Sequence, residues 1–210
     1  MSIATTTTTA RHEQRATREG GQKTRSRLLD AAAKLFVSRG FADASLTEIA
    51  AAADAFPSQV TYYFKSKEAL FVEAACRELL HLGKAAEDAA ARAGDQRGYI
   101  EALVRTVAPA PALAMIIEAM ALARRRADLT PLIAKTFERL HDEGARAAVA
   151  ARARRGWPLP KDPMAQSERF WALALGVSLR VAGTGADPST CPEEMLTLLR
   201  MDPNASEPAA

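Results

Sequence analysis

An all-α fold is predicted by three features of this chain. Alanine is abundant while β-branched and aromatic residues are sparse, a bias toward helix formers. Apolar residues recur at helical spacing, as in Leu28, Leu29, Ala32, Leu35 and Phe36. Residues 45–70, SLTEIAAAADAFPSQVTYYFKSKEAL, read as two short helices joined by a tight turn and closed by the start of a third.

The chain has 210 residues, 48% apolar and 25% charged, enough for a buried core and too apolar for disorder. Residues 1–70 hold 10 Lys/Arg against 7 Asp/Glu, and residues 71–210 hold 18 of each, so the formal excess of +3 belongs to the N-terminal third. That asymmetry points to an anionic partner at this end. Cys76 and Cys191 make neither a metal-binding spacing nor a disulfide framework, and a reducing cytoplasm is expected. No apolar run reaches the roughly 18 residues that span a bilayer. Residues 1–20 lack the apolar centre of a signal peptide, so no membrane partner is expected.

Taken in order, residues 1–21 carry a threonine run followed by Arg11, Arg15 and Arg18, which predicts a disordered basic arm. A helix is expected over about residues 24–39, closed by Gly40 as a C-terminal cap, with Phe41 packing the link that follows. Ser45 and Glu48 form a capping box, in which the Ser45 hydroxyl accepts from the Glu48 amide and the Glu48 carboxylate reaches back to Ser45. This second helix stops near Asp54, a residue type that tolerates a left-handed backbone. Pro57 restarts the chain, because proline at the first helical position forfeits no hydrogen bond. Over residues 57–64, Val60 and Phe64 lie four apart and face inward with Ile49, leaving Ser58, Gln59, Thr61 and Tyr62 outward.

A long helix follows over about residues 66–93, capped by Ser66, with Leu70, Phe71, Ala74, Ala75 and Leu79 inward. With no linker before it, it is expected to act as a rigid rod. Breaks at Gly94 and Gly98 and at Pro109 and Pro111 bound a short helix over 97–107. The helix over 112–127 is apolar on nearly every side and so predicted to be buried all round. The next, to about Arg155, turns Leu132, Ile133, Phe137 and Leu140 inward and Arg146, Arg152, Arg154 and Arg155 outward. After the stiff Gly156-Trp157-Pro158-Leu159-Pro160 loop come two helices, over about 163–182 and 190–201, and a polar tail over 202–210.

The residues of the first third are more specific than their shape. The run T-R-x-x-L-L-D-A-A-x-x-L-F-x-x-x-G-F, then S-L-T-E-I-A-x-x-A, then Y-Y-F-x-S-K-E-A-L-F resembles the N-terminal domain of the TetR (tetracycline-repressor-like) family of bacterial transcription regulators over about residues 23–72. The resemblance implies a helix-turn-helix DNA-binding domain over 22–66 and a larger helical ligand-binding and dimerisation domain over 67–201. It further implies a homodimer that binds a palindromic operator in double-stranded DNA and is released by a small-molecule effector, with no cofactor. By the same resemblance residues 57–64 are the recognition helix, with Pro57 at its start. Ser58, Thr61 and Tyr62 then fall where base edges are approached, and Thr47, Gln59, Tyr63 and Lys67 where phosphates are held. The chemistry agrees, since hydroxyls, amides and a helix N-terminus suit phosphate oxygens and Tyr62 can press on a thymine methyl. Asp54, Phe56 and Thr61 depart from the family pattern, where a turn glycine, a small capping residue and a tyrosine are usual. These departures motivate a rival reading, a helical small-molecule-binding or interaction protein that no longer reads specific DNA.

In the second domain, Glu118 interrupts an apolar helix and a buried carboxylate would need a partner, Arg105, His141 or a ligand. Tyr99, Met115, Met120, Phe137 and His141 complete the candidate effector site. The last two helices look like a pair that forms a four-helix bundle with a second subunit, through Phe170, Trp171, Val177, Leu196 and Leu199. Enzymatic readings find no support: there is no H-x-x-x-H, no C-x-x-C, no glycine-rich phosphate loop and no nucleophile elbow. Cys76 and His81 fall on different faces of a helix.

Overall fold

The computed structural model describes residues 4–200, with side chains from Gly20 onward. The expected tail lies outside them, as do the side chains of the expected arm up to residue 19. Among the described residues there are nine α-helices, two 3₁₀ turns and no strand. The chain divides into two compact units, Met1–Ala74 and Ala75–Ala210.

In the first unit, α1 (Ala4–Asp43) loses its helical course at Gly40, where φ is 78° and ψ 171°. Only glycine takes this backbone without steric cost, which is why the chain turns here. Beyond it Phe41 packs against Phe71 at 5.0 Å between ring centroids, and Phe71 meets Phe36 edge-on at 4.9 Å. The second helix, α2 (Leu46–Ala52), starts on the full capping box: Glu48 N–H donates to Ser45 Oγ at 3.1 Å, and Ser45 N–H to Glu48 Oε2 at 3.1 Å. It stops at Asp54, which sits left-handed at φ 48°. The third, α3 (Pro57–Phe64), has Phe56 as its N-cap, which lacks an acceptor; only the reverse half of the box forms, Phe56 N–H donating to Gln59 Oε1 at 2.9 Å. Leu28, Ile49, Val60, Leu70 and Phe71 fill the core between these helices, all but excluded from solvent.

The fourth helix, α4 (Lys67–Ala90), is a single helix that passes through the division at Ala74. Ser66 caps it, accepting from Ala69 N–H at 3.1 Å. The second unit continues with α5 (Gln96–Val107), α6 (Pro111–Ala123), α7 (Thr130–Arg155), α8 (Pro163–Thr184) and α9 (Cys191–Arg200). Asp95 and Asp162 cap α5 and α8, accepting from Gly98 and Ala165 N–H at 2.7 and 2.9 Å. Gly156, at φ 68°, closes α7 as a left-handed cap. Close helix approach falls at two glycines: a Cβ on Gly83 would stand 2.8 Å from Leu140 Cδ1, and one on Gly144 2.7 Å from Ser167 Oγ.

Two expectations are corrected here. The sixth helix is not buried all round: Leu113, Met115, Ile116, Ala119 and Ala123 are inside, but Glu118 is exposed and Met120 is 39% exposed. Apolar composition left its outer face undefined, and packing chose it. Arg152 does not face outward but is buried, at 3% exposure. It lies one residue after buried Ala151, and the face of α7 that enters the core carries it inward. No single described helix is long and apolar enough to cross a membrane.

Candidate functional site

The reading face of α3 follows from what holds the helix down. Val60 and Phe64, four residues apart, are buried at 1% and 4% exposure. Their burial turns Pro57, Ser58, Thr61 and Tyr62 outward, and Tyr62 stands 78% exposed. Thr47 on α2 is also exposed, while Gln59, Tyr63 and Lys67 are half-buried. Thus the eight residues expected at a DNA surface divide into five that are fully open and three already engaged by the fold.

Those three engagements leave donors unspent. Gln59 accepts from the Phe56 N–H through its carbonyl oxygen, so its amide nitrogen keeps two N–H donors. Lys67 Nζ donates to the Ala42 carbonyl at 3.0 Å and sits 4.8 Å over the Phe41 ring, and an ammonium carries three donors. The Tyr63 ring meets Tyr62 edge-on at 5.0 Å. At the turn before α3, the Asp54 carboxylate is fully exposed, with Arg27 Nη1 at 3.5 Å. Phe56 is 74% exposed beside it.

The second unit encloses a cavity of about 580 Å³ among α4, α5, α7, α8 and α9. Leu80, Ile100, Leu103, Leu140, Phe170 and Trp171 supply much of its apolar wall. Its polar groups are mostly paired among themselves or with near neighbours. Tyr99 O–H donates to Glu87 Oε2 at 2.7 Å, Arg139 Nε to Glu143 Oε1 at 2.7 Å, and Lys84 pairs with Asp88 one turn on. Burial pushes the Glu87 carboxyl above its usual range against the lowering effect of the Tyr99 hydroxyl. Burial likewise raises the Tyr99 phenol, helped by the neighbouring Glu87 charge. Arg152 and Gln166 also line the cavity, and the Arg152 Nε and Gln166 Oε1 are buried with no hydrogen-bond partner.

Of the six residues expected at an effector site, the cavity takes in Tyr99 alone. Met115 is buried elsewhere, Met120 and Glu118 face outward, and Phe137 and His141, half-buried, meet as tilted rings 5.8 Å apart. The expectation of a buried carboxylate at Glu118 is therefore corrected: Glu118 is in solvent, Arg105 pairs with Glu193 at 3.1 Å, and the buried carboxylate is Glu87. Sequence reasoning missed Glu87, Arg152 and Gln166. The signal for Arg152 was the small-residue face of α7, Gly144, Ala147, Ala148 and Ala151, on which it continues the helical spacing. Of the five residues expected at a subunit interface, Trp171, Val177 and Leu196 are each 4% exposed, their surface spent inside this chain. Phe170 and Leu199 are half-buried and line the cavity. The outer face of α8 instead presents Ala172, Gly176, Leu179 and Gly183, with Leu179 56% exposed. Among the described residues no group of His, Cys, Asp or Glu could hold a metal ion.

Residues 28–74 match the family profile of bacterial regulatory proteins of the tetR family, and residues 96–200 that of the bacterial transcriptional repressor C-terminal. A solved structure described as a transcriptional regulator from Rhodococcus sp. RHA1 is 38% identical, over 88% of this chain and 97% of that one, with a TM-score of 0.76. A TetR-family structure from Mesorhizobium loti MAFF303099 is 20% identical, over 86% and 95%, with a TM-score of 0.65. A structure described as a transcriptional regulator from Saccharomonospora viridis, in complex with choline, is 18% identical over 86% and 97%, with a TM-score of 0.62. The last two share the fold. No curated protein matches the chain.

Proposed function

Since the chain belongs to the TetR family of bacterial transcription regulators, we propose that it is a cytoplasmic repressor that binds a palindromic operator as a homodimer and is released by a small-molecule effector. The observation that carries this reading is the face of α3. Burial of Val60 and Phe64 fixes the helix, and Ser58, Thr61 and Tyr62 stand open to base edges. Thr47 and the spare donors of Gln59 and Lys67 suit phosphates on either side, where contacts set register rather than sequence. Two such helices in one dimer would enter successive major grooves about 34 Å apart. The outer face of α8 supplies the surface for the second subunit, and the cavity of the second unit holds the effector.

Release is a population shift. An effector that prefers a conformer with wrongly spaced recognition helices lowers operator affinity by its differential affinity for that conformer. The fourth helix is the element through which the two events couple, since Leu80, Gly83 and Glu87 line the cavity and its first residues lie in the unit that carries α3. Catalysis has no part in this reading. Selection of random DNA by the full chain tests it: recovery of a two-fold symmetric sequence, bound by one dimer in an electrophoretic shift, is the expected result. Binding that stays independent of sequence at every salt concentration would refute specific repression.

The exposed Asp54 carboxylate favours a second reading, in which the helix-turn-helix no longer reads a specific sequence. Unchanged DNA affinity after both Tyr62→Ala and Lys67→Ala would select it.

A further inference from the structure

The charged groups around the cavity differ in how fully they are used. Arg139 has Glu143, Lys84 has Asp88, and Glu87 has the Tyr99 hydroxyl. Arg152 has almost nothing. Its guanidinium carries five N–H donors, yet the bond recorded for it is from Nη1 to the Ala148 carbonyl one turn back, long at 3.4 Å, and Nε has no partner. No carboxylate among the described residues closes an ion pair with it. Glu87 acts on it only as a nearby charge and accepts its hydrogen bond from the Tyr99 hydroxyl instead.

A guanidinium at 3% exposure cannot escape this situation by losing its proton. Burial lowers its affinity for the proton, but the group remains a cation at any physiological pH. A buried guanidinium with no carboxylate on its N–H donors is costly, and a ligand that accepts from them supplies what the fold leaves unmet. Charge also limits the ligand, since a single guanidinium that no carboxylate among the described residues pairs with suits one negative charge rather than the two of a phosphomonoester. Arg152's planar fork matches the two oxygens of a carboxylate, and the apolar wall suits a carbon body. Gln166 Oε1, also buried without a partner, is an acceptor for a hydroxyl or N–H on the same molecule.

We infer that the effector is an apolar monocarboxylate whose carboxylate pairs with Arg152 and whose body fills the space walled by Leu80, Leu103, Leu140, Phe170 and Trp171. The assignment rests on the effector-release reading for its biological consequence, and on the cavity alone for its chemistry. A cation as ligand would leave Arg152 unpaired and add a second positive charge beside it. A neutral ligand would leave the guanidinium as it is.

Isothermal titration of the full-length chain with two matched sets of probes tests this. One set is octanoate, 1-octanol and octyltrimethylammonium; the other is 2-naphthoate, 2-naphthalenemethanol and (2-naphthylmethyl)trimethylammonium. In at least one set, the carboxylate is expected to bind tenfold or more tightly than both of its counterparts. Arg152→Gln and Arg152→Met are each expected to remove that preference while leaving affinity for the alcohol within twofold. Because these variants delete a buried unpaired charge, their melting temperatures should equal or exceed that of the parent, which shows that lost binding is not lost folding. Binding of neither carboxylate, equal or tighter binding of the alcohol or ammonium probe, or unchanged carboxylate affinity in both variants would overturn the inference.

An electrophoretic shift on the selected operator separates the two claims. Operator release by an ammonium or alcohol probe, without any carboxylate preference, refutes the inference and leaves effector-controlled repression standing. Arg152-dependent carboxylate binding on a chain that never reads specific DNA supports the inference and refutes the repressor.

Discussion

At the scale of single residues, the first unit shows how much a short sequence motif determines. Ser45 and Glu48 do what their three-residue spacing implies, and Arg39 adds an ion pair to the same carboxylate. The Ser45 hydroxyl, the Ser45 amide and the Arg39 guanidinium together hold the Glu48 carboxyl from its ordinary 4.5 down to about 2. A folded-state pKa below the unfolded one means stability that is fully present above about pH 4.5 and lost as pH falls toward 2. Glu48→Gln keeps an oxygen for the Ser45 amide but no charge for Arg39. Thermal melts should therefore show the parent above the variant at neutral pH, with the gap closing between pH 4.5 and about 2; a gap independent of pH would mean the charge is irrelevant. Tyr62 makes the complementary case, being 78% exposed and of no use to the core. Tyr62→Ala should leave the melting temperature unchanged and weaken operator binding by about 1–3 kcal/mol, relaxing preference at one base pair, as measured by competition shifts with single-base operator variants.

At the scale of elements, start and stop signals were legible because each acts through its immediate neighbours. Gly40, Pro57, Ser66 and Gly156 mark the helix ends where the structure has them, and Asp54 takes the left-handed backbone its turn requires. Which face of a helix turns inward was legible only where polar and apolar residues alternate. On α6, nearly all apolar, the sequence could not say that Glu118 and Met120 face out. On α7 the arginine-rich end hid the fact that Arg152 follows the inward row, because its charge argues for solvent and only its place near Glu87 of α4 and Tyr99 of α5 argues otherwise. The cavity was illegible for a related reason. Its members come from five helices, and the Tyr99–Glu87 bond joins residues across a turn, which no helical periodicity links. The α7–α8 contact itself rests on Gly144, where an added Cβ would meet Ser167 Oγ at 2.7 Å but its Cβ only at 3.7 Å. Glycine to alanine inside a helix is otherwise worth about 1 kcal/mol in favour of alanine. Chemical denaturation should thus find Gly144→Ala destabilising alone and stabilising, by up to about 1 kcal/mol, in a Ser167→Ala background. Equal effects in the two backgrounds would show that the close approach is relieved for free.

At the scale of the whole molecule, the proposed two-fold operator reader needs a surface on which a second chain can pack. From the sequence, the interface is expected on the last two apolar helices, as a pair that forms a four-helix bundle with a second subunit. Trp171, Val177 and Leu196 instead complete the chain's own core, and what α8 leaves outside is Ala172, Gly176, Leu179 and Gly183, spaced by four, three and four. Such a stripe lies on one side of a helix, and its small side chains let the backbone of a second helix come close. Under the two-fold symmetry proposed here, Leu179 would meet the same face of its partner, so one substitution acts twice. Leu179→Glu places a carboxylate on a residue already 56% exposed in the single chain, and so spares the monomer's core. Sedimentation velocity should show the parent as a dimer and the variant as a folded monomer with unchanged helicity. Operator affinity should fall by orders of magnitude, because each half-site is then held by one recognition helix rather than two joined ones. A variant that remains dimeric would move the interface off this face of α8, while a monomeric parent that still binds the full palindrome tightly would remove the need for one.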